Sequence, residues 1–201
     1  MKLRDWLVPD EMQSAASAAH QMLRVVTNTS HFWLKQIFAA LVPLLLGGYL
    51  GWWLANCMTP DQVKSTKDVI TAIMTLVSVL AGFMVTLMLF TGRTSGADTL
   101  SVEQASAYVE KITYLLFSQA LTLVVHVACV LAGLAWLVAQ NVSSDTTVIN
   151  VLFAVCTGFL SLSLVRTLLL PFQIYEVHHF ELAAMVDEKQ RAFMASIRED
   201  A

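Results

Sequence analysis

The chain has 201 residues, 57% of them hydrophobic and 13% charged, with a net charge of −3 and a mean hydropathy of +0.65. A soluble domain carries about a quarter charged residues, so a water-soluble globule with a polar shell is excluded. A net-negative chain without a basic stripe also excludes direct nucleic-acid binding.

The missing charge is concentrated in four places. Gln36 to Pro60 (25 residues), Val69 to Gly92 (24), Ile112 to Ser144 (33) and Thr146 to Val165 (20) contain no Asp, Glu, Lys or Arg. A helix that crosses a hydrocarbon core of roughly 30 Å needs about 20 apolar residues. The expected fold is therefore all-α and polytopic. It has four transmembrane helices, at about 32–57, 68–90, 112–139 and 147–170, with short amphipathic cytoplasmic helices at both ends. The bundle would occupy 32–171, between a cytoplasmic segment 1–31 and a cytoplasmic helix in 172–201.

In chain order, residues 1–31 have no apolar signal-like core, because Asp5, Asp10 and Glu11 interrupt their start. Pro9-Asp10-Glu11 suits a helix start. Met12, Ala15, Ala19, Leu23 and Val26 then recur at helical spacing. The reading is an amphipathic helix, on the membrane surface or against the bundle. Span 1 is bracketed by Phe32-Trp33 and Trp52-Trp53, as aromatic side chains bracket a bilayer. Pro43 lies inside it. Gly47 and Gly51 form a GxxxG, which lets another helix backbone approach closely. Residues 58–67 read as a polar connection.

In span 2, Ser78 and Gly82 form a second small-residue pair for helix packing. Residues 91–111 form the most polar internal segment. Its glycines mark a turn, and "SVEQASAYVEK" reads as a helix that continues into span 3. Ser101 and Gln104 stand at capping-box spacing at its start. Glu103, Tyr108 and Glu110 on that extension are candidates for binding a partner. In span 3, Gln119, Thr122, His126, Cys129, Gly133, Trp136 and Gln140 repeat at alternating intervals of three and four residues. Such spacing draws one stripe on a helix. Polar groups there avoid lipid, so the stripe is expected to face other helices. Gln119, Thr122 and His126 are its buried polar members, and His126 is a candidate switch.

Span 4 carries Gly158 and Ser161 as a small-residue packing face, and Arg166 near its end, reaching toward headgroups. Beyond Pro171, Leu182, Val186, Phe193 and Ile197 fall on one face of the C-terminal helix, a second candidate surface for a partner or for other copies. Ten Lys and Arg residues lie on one side of the membrane under this topology and two on the other. The positive-inside rule then puts both termini in the cytoplasm.

Three cysteines, Cys57, Cys129 and Cys156, give no disulfide framework. There is no GxGxxG, P-loop, GxSxG or HExxH. His178-His179 beside Glu176 does not amount to a metal site, since adjacent helical positions diverge by about 100°. Neither catalytic nor metal-binding residues, nor a cofactor, are expected, and the chain does not read as an enzyme.

In size, in four spans with both ends inside, and in the helix "SVEQASAYVEK" feeding span 3, the chain resembles the KwaA family, the membrane subunit of the bacterial Kiwa anti-phage system. The resemblance spans the whole chain and rests on architecture, with no diagnostic motif, so it transfers no site residues. It implies a homo-oligomer in the bacterial inner membrane, in contact with lipid, that senses membrane disturbance and works with a separate cytoplasmic effector, KwaB. A channel or pore-forming effector is the alternative reading, with the polar stripe of span 3 as its lining. A small transporter is the third. A pore usually shows a charged ring or filter, and a transporter shows repeats or embedded carboxylates. Neither set of features is evident.

Overall fold

The computed structural model describes residues 10–27, 32–91, 102–143 and 145–199. Every element among them is a helix: α1 (Asp10–Thr27), α2 (Phe32–Cys57), α3 (Pro60–Thr91), α4 (Val102–Val142) and α5 (Thr146–Glu199). Four of them, α2 to α5, are long and apolar enough to cross a membrane. Most of their large apolar side chains point away from the chain, among them Phe38, Leu45, Leu89 and Leu168. Contiguous apolar surface on this scale is untenable in water, and hydrocarbon is the solvent it fits.

The connections explain where the helices begin. Residues 58–67 are mostly helix, not the polar connection expected. The Thr59 amide donates to Gln62 Oε1 at 2.9 Å, and Pro60 takes the first helical position. Thr59-Pro60-Asp61-Gln62 is thus a capping-box spacing with proline where its missing N–H is harmless. It starts α3 about two turns before Asp68. At the other connection, Asp145 caps α5: its Oδ1 accepts the Thr147 amide at 2.8 Å. Ser101 and its expected cap lie outside the described residues.

The helices do not stop where the apolar runs stop. The span-3 helix is continuous from Val102 through Val142, as the extension reading expects. The C-terminal helix is not a separate element. Pro171 lies inside α5, which runs unbroken for 54 residues, about 81 Å at 1.5 Å per residue. Pro43 is likewise inside α2. Proline removes one backbone bond and bends a helix, but flanking turns held by packing carry the helix past it.

Packing follows a row, not a ring. α2 packs on α5, α5 on α4, and α4 on α3, while α1 lies against α4 and touches α2. The inner pair, α4 and α5, buries 28% of each span against 11% for α2 and α3. Each outer helix makes its contact through a narrow stripe. In α2 the buried positions are Pro43, Gly47, Gly51 and Ala55, four apart. In α3 they are Ile70, Val77 and Met84, seven apart, the period of a left-handed coiled-coil seam.

The α2–α5 contact is backbone against backbone. A Cβ at Gly47 would collide with Ser161 and lie 2.7 Å from the Thr157 carbonyl oxygen; one at Gly51 would collide with Thr157. From the other side, a Cβ at Gly158 would stand 2.8 Å from the Leu44 carbonyl oxygen. Gly47, Gly51, Gly158 and Ser161 therefore meet in one interface. Ser78 and Gly82 do not join it. Ser78 is exposed with its hydroxyl on the Met74 carbonyl, and nothing stands within 4 Å of a Cβ at Gly82. The reason is register. α3 touches α4 along the 70-77-84 stripe, and position 78 lies about 100° round the helix from it.

Leucine at position 47 or 158 is therefore expected to destabilise the protein by about 1–3 kcal/mol through overpacking. Gly82→Ala should be neutral, or stabilising by up to about 1 kcal/mol through helix propensity. Thermal unfolding of the three variants in one detergent checks the ranking.

Candidate functional site: a polar column between the inner helices

The stripe on α4 turns inward. Gln119, Thr122 and His126 are 0%, 1% and 0% exposed, and Cys129, Gly133 and Trp136 are buried above them. Gln140, at the end of the stripe, is only half-buried. All of this follows from a 3,4 spacing on a helix flanked by α3 and α5. The partners of the stripe are polar side chains of α3 and α5.

Ser118 Oγ donates to Gln173 Oε1 of α5 at 3.0 Å. Gln119 Nε2 donates to Thr91 Oγ1 at the end of α3, at 3.2 Å. Thr122 Oγ1 turns back to the Ser118 carbonyl at 2.9 Å, a local bond that needs no ligand. His126 reaches α5, where Thr167 Oγ1 lies 3.1 Å from its Nε2. Gln119, Ser118 and His126 thus tie α4 to α3 and α5.

The protons around His126 can be assigned from geometry. Its Nδ1 lies 2.7 Å from the Thr122 carbonyl oxygen. A carbonyl only accepts, so Nδ1 carries hydrogen and Nε2 of the neutral ring must accept. Thr167 Oγ1 can supply that hydrogen, but it also lies 2.8 Å from the Ser163 carbonyl. One hydroxyl hydrogen cannot serve both. With a neutral ring, the Thr167 hydroxyl hydrogen goes either to His126 Nε2, tying α4 to α5, or to the Ser163 carbonyl of its own helix.

Several buried polar atoms have no partner among the described residues: Gln119 Oε1, Ser163 Oγ, Trp136 Nε1, Gln140 Nε2 and Arg166 Nε. A buried orphan of this kind costs about 1–3 kcal/mol. Trp136 also lines a cavity of about 10 Å³ with Thr66, Asn150 and Phe153, room for one water. Its ring packs on Phe153 with centroids 5.4 Å apart. Arg166 is half-buried, and its Nη2 donates to Gln36 Oε1 of α2 at 3.2 Å. It is held by a neighbouring helix as well as being near the end of its span.

The partner candidates divide. Tyr108 is 5% exposed and clusters with Leu115, Ile112 and Ile174 of α5. The packing of α4 on α5 extends far enough along the helix to cover it. Glu110, Leu182 and Val186 are exposed. Glu103, Phe193 and Ile197 lie on helices, but their side chains are outside the described residues. His178 and His179 are exposed, and His179 lies against Tyr175 with ring centroids 5.9 Å apart. Among the described residues, no three His, Cys, Asp or Glu side chains converge as metal ligands.

Ser163 and Thr167 were missed. Their signal was available, since Cys156, Ser163 and Thr167 recur at seven and four residues in span 4. Nothing in that spacing says which face of span 3 they meet.

Fold and column together define a class: an all-helical protein with four membrane-length helices joined by a buried polar column. No family model, curated protein or solved structure matches the chain.

Thr167→Val should cost about 0.6–2 kcal/mol, the range of interhelical hydrogen bonds in membranes, because it leaves His126 Nε2 without a donor. Gln119→Leu should cost less, since it removes an orphaned oxygen along with one bond. Unfolding midpoints of the two variants in the same detergent give the order.

Proposed function

We propose that the protein is a non-enzymatic, oligomeric membrane scaffold or sensor subunit of the bacterial inner membrane that recruits a cytoplasmic effector, in anti-phage defence. The observation that carries this reading is α5. One unbroken 54-residue helix contributes Ser163, Thr167 and Gln173 to the polar column and then runs on to Glu199. A rearrangement of the column is thus mechanically connected to the part of the chain that a soluble protein can reach. The exposed residues Glu110, Leu182 and Val186 are candidates for that contact. The charge bias places both termini in the cytoplasm. The architectural resemblance to the KwaA family names the effector as a KwaB-type protein.

The two hydrogen-bond arrangements at His126 supply the bistable element that a sensor needs. A membrane disturbance that changes the spacing of α4 and α5 acts on the Thr167–His126 bond, which competes with an intrahelical one. The channel reading loses support from the same geometry. Gln119, Thr122 and His126, its proposed lining, are used up between the helices of a single chain.

The full-length chain, extracted gently from cells that carry its neighbouring genes, should bring down a soluble protein in fixed stoichiometry. Purification of the chain alone, with ion flux across reconstituted vesicles, would reject the scaffold in favour of the pore. Cysteines placed near residues 5 and 195 should react with a membrane-impermeant thiol reagent only after the cells are opened.

A further inference from the structure

We infer that α5 beyond the membrane pairs in parallel with the same helix of further copies of this chain, along a seam centred on Leu182 and Val186. Leu168, Phe172, Tyr175, His179, Leu182 and Val186 lie at successive intervals of four, three, four, three and four, and all six are exposed. That is a heptad seam on one continuous helix. Its 3.5-residue period is the one that keeps a stripe facing another helix. The neighbouring face is occupied within the chain, where Ile174 packs against the Tyr108–Leu115 cluster of α4. The seam is left over.

What covers it follows from position. α5 continues past Tyr175 without a break, so Leu182 and Val186 stand roughly 10 to 16 Å further along the helix axis. A surface-lying amphipathic helix would need a break there, and lipid is therefore not the cover. Insertion holds each copy at the same depth and in the same direction. Another α5 consequently presents a matching seam at the same height, parallel and in register. The flanking positions suit identical partners as well. Around Leu182 and Val186 the flanks are Ala183, Met185, Gln190 and Ala192, all uncharged, while Glu176 and His178 flank the seam one heptad nearer the membrane. Between Val177 and Phe193, the carboxylates and the arginine occupy positions away from seam and flanks. Lys189 is the one charged seam residue. With His179 it puts polar groups at two seam positions, which fix register at some cost in stability.

The inference deepens the scaffold reading by naming the oligomer surface, and it rests on that reading for the oligomer. Its test uses the full-length chain in native membranes in a Cys57→Ser background, where Cys129 and Cys156 are buried. Leu182→Cys and Val186→Cys should each form disulfide-linked homodimers under a mild oxidant. Met194→Cys, about 130° round the helix from the seam, should form several-fold less. Equal crosslinking at the three positions, or none at 182 and 186, overturns the seam. So does crosslinking of Leu182→Cys to a soluble protein in place of its own copy. The pair Leu182→Lys and Val186→Lys should lower the oligomer mass in mild detergent with helix content unchanged; an unaltered mass overturns the inference. A soluble protein that still co-purifies when the seam cysteines stay unlinked removes the seam and leaves the scaffold. Linked seams with no soluble partner do the reverse.

Discussion

Two helices immersed in hydrocarbon gain nothing by setting leucine against leucine, because the lipid they leave is equally apolar. Everything that holds this chain together answers to that constraint. Helices must either come close enough for backbone and small side chains to touch, or bring polar groups that lipid cannot satisfy. The chain uses each device at a different place. α2 meets α5 through Gly47, Gly51 and Gly158, with Ser161 and Thr157 filling the groove. α4 meets its neighbours through Ser118, Gln119 and His126. Large apolar residues such as Phe38 and Leu45 are left to the solvent they suit.

The two devices meet on α5, which is why that helix is central. One of its faces carries glycine and hydroxyls for α2, and another carries Ser163, Thr167 and Gln173 for α4. The outer helices contribute stripes one residue wide. Such stripes leave most of α2 and α3 facing outward, so the row α2–α5–α4–α3 presents its edges and broad faces to lipid or to other copies. The end where the chain turns twice is closed by short polar ties. Lys67 Nζ donates to Asn141 Oδ1 at 3.1 Å, and Asn150 Nδ2 donates to Asn56 Oδ1 at 3.3 Å.

A column with unpaired polar atoms is poorly suited to be a rigid core. His126 Nε2 and the Ser163 carbonyl compete for one hydrogen, and Gln119 Oε1 has none. Buried networks left partly unsatisfied stabilise less than a fully bonded or fully apolar core. That is a liability in a purely structural protein and an asset in one that must respond to its membrane.

The inward turn of the α4 stripe was legible in the chain. Its 3,4 spacing has one solution on a helix, and lipid rejects polar groups wherever they occur. Four membrane-length helices were legible too, because span length depends only on the absence of charge over about 20 residues. Helix ends were less so. The capping box at Thr59–Gln62 was present but read as a loop, since polar residues past the lipid edge no longer need to be apolar to be helical. The bundle was expected to end at residue 171, though α5 runs through Pro171 and still packs on α4 at Gln173 and Ile174. Tyr108 looked like a surface residue because nothing in its neighbours reveals that Ile174 lies beside it. The same held for the small-residue pairs. Gly47–Gly51 and Ser78–Gly82 look alike as sequence, yet one is buried and the other faces out. Local periodicity fixes which residues of a helix share a face, but the rotation of that face toward a neighbour is set only when all the helices pack at once. Sequence by itself thus determined the helices and their stripes, and the tertiary structure decided which stripes meet.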